Sequence, residues 1–206
     1  MWACTKVRWQ VDTGWTITAA PCLAGDRAIV ADASGTVRAL ALADGRELWQ
    51  FQAGGPVLGT PAAARGVDVF GATDGSIHAL DLTNGHSLWR VPTARPVVAA
   101  PRIEGTAVLI GGSDGQFRAL EIRTGQSLWT FAGVKRFVEA RPLVAAGKVI
   151  FGAWDTQLYA LSLAPGRLAW QWRSDKPALG ASPAACWPVA AHGKVFFGAP
   201  DRVADA

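Results

Sequence analysis

Cysteine is scarce in this chain: Cys4, Cys22 and Cys186 are odd in number and far apart. No C-x-x-C, C-x-x-C-H or adjacent pair occurs, which excludes a zinc ribbon, c-type haem attachment and a thioredoxin-like motif. The cysteines read as small buried hydrophobes. Charge is also sparse, at 17% of residues against about 25% in ordinary globular chains. The net charge of +4 is spread over scattered Arg and Lys without a basic face, so no nucleic-acid partner is expected. No apolar run approaches the ~18 residues that a bilayer-spanning helix needs. The opening Met1-Trp2-Ala3-Cys4-Thr5-Lys6 lacks a basic leader followed by an apolar stretch, so no signal peptide is expected. Nor is any run long enough for a helix between the recurrent Gly and Pro residues.

What the chain has instead is tryptophan at a fixed interval. Trp9, Trp49, Trp89, Trp129 and Trp170 are spaced by 40, 40, 40 and 41 residues. Other residues keep step: Pro21, Pro61, Pro101, Pro142 and Pro183; an Ala-Leu pair at 39–40, 79–80, 119–120 and 160–161; and Gly45, Gly85, Gly125 and Gly166. A repeat of this length means one supersecondary unit copied several times. The units run approximately over 10–49, 50–89, 90–129 and 130–170, with an incomplete 171–206, all within a single domain spanning 1–206.

One unit, 56–91, shows the logic. Turns at Gly66, Asp74-Gly75 and Asn84-Gly85 cut it into four short runs, two of them (67–70 and 77–82) rich in β-formers. In the third run, Val37 and Ala39, Ile77 and Ala79, Phe117 and Ala119, and Leu158 and Ala160 share one face. Leu40 and Leu42, Leu80 and Leu82, Leu120 and Ile122, and Leu161 and Leu163 share the other. A sheet apolar on both faces must be covered on both, and radial stacking of four-stranded sheets does this. The predicted fold is therefore all-β: a propeller of four-stranded antiparallel blades, with the repeated Trp buried between blades.

The residue after Trp is Gln10, Gln50, Arg90, Thr130 or Gln171, never Asp, so the WD-repeat pattern fails. The chain instead resembles the pyrroloquinoline-quinone-like (PQQ-like) repeat family. The pattern appears as Asp74-Gly75, Ala79-Leu80-Asp81, Asn84-Gly85 and Leu88-Trp89, and again as Asp114-Gly115, Ala119-Leu120-Glu121, Thr124-Gly125 and Leu128-Trp129. The resemblance covers essentially the whole chain. It implies one of two functions. Quinoprotein dehydrogenases are eight-bladed enzymes holding the quinone and calcium on the axis, under adjacent cysteines and beside an axial Asp base with Glu and Asn ligands. The other group, including the propeller lipoprotein of the outer-membrane β-barrel assembly machinery, binds proteins without a cofactor.

The residues favour the second group. Adjacent cysteines are absent, and the acidic residues mostly recur at turns: Asp74, Asp114, Asp155 and Asp201 at one hairpin, Asp44 at another. Asp12, Glu104 and Glu139 depart from the repeat but are isolated in sequence. His86 and His192 lie at turns, and His78 reads as a variable surface or channel position shared with Arg38, Arg118 and Tyr159. No phosphate loop or nucleophile elbow is present; Gly111-Gly112-Ser113 is a hairpin flank. The expectation is a non-catalytic binding scaffold with no catalytic, cofactor or metal residues, no cofactor and an unidentified protein partner. The alternative is a fragment of a PQQ- and calcium-dependent dehydrogenase. The resemblance suggests the periplasm or cell envelope.

A ring of seven or eight blades needs about 280 to 320 residues, and this chain has 206. It opens in a fourth-strand-like segment, 7–10, which could complete the last blade. It ends after Val195-Phe196-Phe197-Gly198 with only a remnant of a third strand at 201–205. An arc of a larger ring is expected, open to self-association at its edges, over the alternative of five blades closing imperfectly. Trp15, Trp154, Trp172 and Trp187 break the repeat and read as gap fillers or as binding anchors.

Overall fold

The structure, a computed structural model, describes residues 7–173, 186–198 and 204–205. The first sheet contains β1 (Cys22–Ala24), β2 (Arg27–Ala31), β3 (Thr36–Ala41) and β4 (Glu47–Gln52). The second contains β5 (Ala62–Ala64), β6 (Val67–Ala72), β7 (Ser76–Asp81) and β8 (Ser87–Pro92). The third has β9 (Arg102–Glu104), β10 (Ala107–Gly111), β11 (Phe117–Glu121) and β12 (Ser127–Phe131), and the fourth β13 (Leu143–Ala145), β14 (Lys148–Gly152), β15 (Gln157–Ser162) and β16 (Leu168–Arg173). The fifth is three-stranded, with β17 (Val189–Ala191), β18 (Lys194–Gly198) and β19 (Ala204–Asp205). Every sheet is an antiparallel meander in sequence order, and no helix occurs among the described residues.

The recurrent Ala-Leu pair has a specific job. Between Ala39 and Leu40, Ala79 and Leu80, Ala119 and Leu120, and Ala160 and Leu161, the register of the third strand against the fourth shifts by one residue. The extra residue on the fourth strand is Leu48, Leu88, Leu128 or Ala169. Such a bulge sharpens the local twist, and here it sits beside the Trp of each fourth strand.

The core lies between blades. Val67, Val69, Ile77 and Ala79 of the second sheet pack on Val97, Val108, Ile110 and Leu120 of the third. Ile29, Val37 and Ala39 of the first meet Phe70, Ala72 and Leu80 of the second. Leu109 and Phe117 of the third meet Val149, Phe151 and Tyr159 of the fourth. Trp172 of β16 and Phe197 of β18 contribute to the fourth contact, edge to face with centroids 4.9 Å apart. Among the described residues, no buried cluster joins the fifth sheet back to the first.

Four of the five repeated Trp residues dock onto the next unit, while Trp170 stays partly exposed. The indole N–H groups of Trp9, Trp49, Trp89 and Trp129 donate to the carbonyls of Leu42, Leu82, Ile122 and Leu163 at 2.8–2.9 Å. The rings lie flat against Gly45, Gly85, Gly125 and Gly166. At Gly85 two demands coincide: φ is +74°, and a methyl group would sit 2.7 Å from the Trp49 ring. Only glycine meets both.

One expectation requires revision. Residues 7–10 form no strand and pair with no strand among the described residues. Trp9 docks on the first blade all the same, since docking needs only the following unit's turn. In the fifth unit, Pro183 lies outside the described residues, as do Cys4 and Asp201. Pro188 stands directly before β17, as Pro142 does before β13.

Candidate functional site

The segments leading into each first strand converge on the propeller axis. Small residues allow this: a methyl group at Gly59 would collide with the backbone at Val98 and Ala99. Cross-links hold the segments together, with the Ala20 N–H donating to Thr60 Oγ1 at 3.2 Å and the Ala100 N–H to the Glu139 carbonyl at 3.3 Å. The result is a channel in two chambers that share Thr60 and Trp187. One chamber, about 490 Å³, is walled by Phe137, Glu139, Trp154 and Trp187 among small and aliphatic residues. The other, about 410 Å³, is lined by Cys22, Ala62, Ile103 and Arg141. Burial pushes the Cys22 thiol up, opposed by the Ala63 backbone and reinforced by Asp68.

The hairpin carboxylates do more than shape turns. Asp114 and Asp155 accept the N–H groups of Gln116 and Gln157, two residues on, as turn aspartates do. Each hairpin also binds the third-strand residue in the His78 series. Asp74 meets His78 Nε2 at 3.2 Å, Asp114 forms a short two-pronged ion pair with Arg118, and Asp155 accepts from the Tyr159 hydroxyl at 2.7 Å. The first blade has Ser34 at the hairpin position, and Asp32, two residues earlier, pairs with Arg38 instead. The expectation of a surface or channel position is thus corrected: His78, Arg118 and Tyr159 are buried, and none of them lines either chamber.

Electrostatics follow from this packing. Burial raises Asp32 and Asp114, but hydrogen bonds from Ser34 and Arg38, and from Arg118, outweigh it and hold both below the usual carboxylate range. For His78, stacked on Phe70 with centroids 5.2 Å apart, burial dominates and lowers its pKa despite Asp74. Burial and Asp155 together raise Tyr159.

One acidic residue escaped the reading of the sequence. Asp68 on β6 is fully buried between the first and second blades, and neither carboxylate oxygen has a hydrogen-bond partner among the described residues. Burial pushes its pKa up to about 8, and the nearby Val69 backbone N–H, outside hydrogen-bonding geometry, opposes this only weakly. Its counterparts are Ala28, Val108 and Val149, so aligning the repeats in phase is the signal that exposes it.

The other expected residues are dispersed. Asp12 accepts from the Gly14 N–H, Glu104 pairs with Arg102 on the surface, His86 lies in a turn and His192 adopts φ +50° beside Gly193. Trp170 is 37% exposed and Trp15 64%. Glu139, isolated in sequence, is not isolated in space: it accepts the Trp154 indole N–H at 2.8 Å.

A family model described as outer membrane protein assembly factor BamB matches residues 5–132 and 73–204. The chain belongs to this family of PQQ-like propellers. Among solved structures, BamB from Moraxella catarrhalis superposes with a TM-score of 0.74 at 23% identity, covering 96% of this chain and 64% of that one. The computationally designed Ika8 protein gives 0.76 at 21% identity, over 89% of this chain and 56% of that one. Quinohemoprotein alcohol dehydrogenase from Comamonas testosteroni gives 0.73 at 15%, over 90% and 40%. These likenesses establish the fold, and the chain spans less than two thirds of each of these three structures. No curated protein matches it by sequence.

Members of PQQ-like families that hold the quinone need calcium ligands on the axis. Calcium draws about 6 to 8 converging oxygens. Among the described residues, the two chambers of this BamB-family chain supply one carboxylate, Glu139, with no second acidic or Asn side chain lining them. Cys22 and Cys186 are far apart in sequence and each is a free thiol. The donor set of the described lining residues, one carboxylate, falls short of what a calcium ion under a quinone requires.

Proposed function

We propose that this chain is a non-catalytic recognition module, an arc of a larger PQQ-like propeller that serves a protein partner in the cell envelope. The observation that supports it is the fate of the carboxylates. Asp32, Asp74, Asp114 and Asp155 are each committed to a structural partner in their own blade, and among the described residues the channel keeps only Glu139. A general base must reach the proton it abstracts, and among the described residues no acidic pair faces the channel to do so. Membership of the BamB family supports an envelope setting and a partner of the outer-membrane assembly type. The share of the BamB structure that the chain spans supports the arc.

The test is titration with pyrroloquinoline quinone and calcium, followed by dye reduction on alcohols and sugars. Neither saturable binding nor turnover is expected; stoichiometric binding with dye reduction would overturn the proposal. Photo-crosslinking in the periplasm should then yield an adduct with a component of the outer-membrane assembly machinery. An adduct profile identical to that of an unrelated periplasmic protein would remove the partner assignment.

A further inference from the structure

Three residues that break the repeat meet at one place. Phe137 replaces Thr16, Pro56 and Pro96, the residues whose carbonyls accept the corresponding hairpin N–H in the other blades. Trp154, whose own N–H donates to the Phe137 carbonyl at 3.0 Å, replaces Ala33, Thr73 and Ser113. Glu139 replaces Thr18, Leu58 and Val98. A scaffold residue repeats with the blades, whereas a ligand on the axis meets each blade once and needs residues that do not repeat. The Phe137 and Trp154 rings stack with centroids 5.3 Å apart at 25°, and Trp154 anchors one oxygen of Glu139. Trp187, standing where the other units have Ala20, Thr60, Ala100 and Arg141, adds a third aromatic wall with half its surface exposed.

We propose that this aromatic chamber is a binding site for a small organic cation of the quaternary or methylated ammonium class. Among the described residues, Glu139 is the only charged residue lining it, and it carries a carboxylate in a chain whose net charge is +4. Aromatic faces attract a cation through the ring quadrupole, and quaternary ammonium groups suit such walls because they need no hydrogen-bond acceptors. A guanidinium has five N–H donors to satisfy, and this chamber offers it one carboxylate and two threonines. The volume of about 490 Å³ is ample for a ligand of choline size. The assignment does not rest on the scaffold reading: a cation site is compatible with either outcome of the quinone titration.

Choline, its neutral isostere 3,3-dimethylbutan-1-ol and N-acetylarginine amide are the probes, each titrated against the indole N–H signals of the labelled protein. Choline should saturate below tens of millimolar and shift the Trp154 signal, with the neutral isostere about tenfold weaker. Glu139→Gln should weaken choline about tenfold. Trp187→Ala, at a half-exposed position, should weaken it severalfold without changing the melting temperature. Equal binding of choline and its isostere, no saturation, or unchanged affinity in Glu139→Gln would overturn the proposal. Tighter binding of the arginine probe would overturn the ammonium assignment.

Discussion

Replacing Asp68 with valine should stabilise this protein, and the gain should depend on pH in a specified way. The folded chain holds the Asp68 carboxyl at a pKa of about 8, against an ordinary value of 3.8. A carboxyl whose pKa is raised on folding contributes its full share of stability below pH 3.8, and that share is lost as pH rises towards 8. At pH 7 the unfolded chain has ionised while the folded chain stays protonated. The gap between 3.8 and 7 is about three pH units, and at about 1.4 kcal/mol per unit the cost is on the order of 4 kcal/mol. Valine already occupies the matching position at Val108 and Val149, both fully buried, so the site tolerates its shape.

The assay is urea denaturation at steps from pH 4 to pH 9 for the parent, Asp68→Val and Asp68→Asn. The quantity of interest is the difference between parent and variant, which cancels other titrating groups. That difference should widen from pH 4 to pH 8 for both variants and then level off. Asparagine removes the titration but leaves a buried amide without partners, so its curve should run parallel to that of valine and lower by about 1–3 kcal/mol. Parent and variant profiles that run parallel across this range would refute the argument, because they would mean that the carboxyl is hydrated or paired in the folded chain.

Further outcomes follow from the same packing. Gly85→Ala should destabilise by about 2–4 kcal/mol, as a strained positive φ adds to displacement of the Trp49 indole; chemical denaturation measures it, and a loss below 1 kcal/mol, roughly the strain alone, would refute the docking account. His78 has a folded pKa below 6.5, so its stabilising contribution is present above pH 6.5 and is lost as pH falls. A His78→Phe variant should therefore lose less stability than the parent between pH 6.5 and 5, and equal losses would count against burial as the dominant cause. Leu168, Trp170, Val189 and Phe196 leave exposed apolar surface at the fourth and fifth blades. Light scattering should show self-association of the isolated chain, relieved by Trp170→Gln with Phe196→Ser; a compact monomer would indicate five blades sufficient to themselves.

How much of this was legible in the sequence depends on whether a residue repeats. Trp49, Gly85, Ala79 and Leu80 advertise their roles because the same contact is made in several blades, and spacing alone makes them visible. The physical partnership, one blade's indole on the next blade's glycine, was not visible, since about 36 residues separate the partners and periodicity is silent on which copy touches which. The buried pairs were hidden for a related reason. His78, Arg118 and Tyr159 vary in chemistry, which resembles surface drift, yet each is held by a hairpin carboxylate four residues earlier. Variation here is constrained on one side only: the partner must donate a hydrogen bond, and an imidazole, a guanidinium or a phenol will do.

Exceptions to the repeat follow the opposite logic, and they are where function resides in a fold of this kind. Glu139 reads as isolated in the sequence because its companions, Phe137 and Trp154, break different columns of the repeat and come together only when strands β13 to β15 fold back on themselves. Asp68 broke a column too, inside an apolar run where one acid is easily taken for noise. The two exceptions differ in what surrounds them. Asp68 is sealed between blades with nothing to bind, and its predicted signature is stability that rises on its removal. Glu139 opens onto a chamber with aromatic walls, so its removal should leave stability unchanged and reduce affinity for a cation. Stability and binding measurements on Asp68→Val and Glu139→Gln, run side by side, therefore separate a buried liability from a recognition site. If both variants changed stability and neither changed binding, the axis of this propeller would be structural throughout.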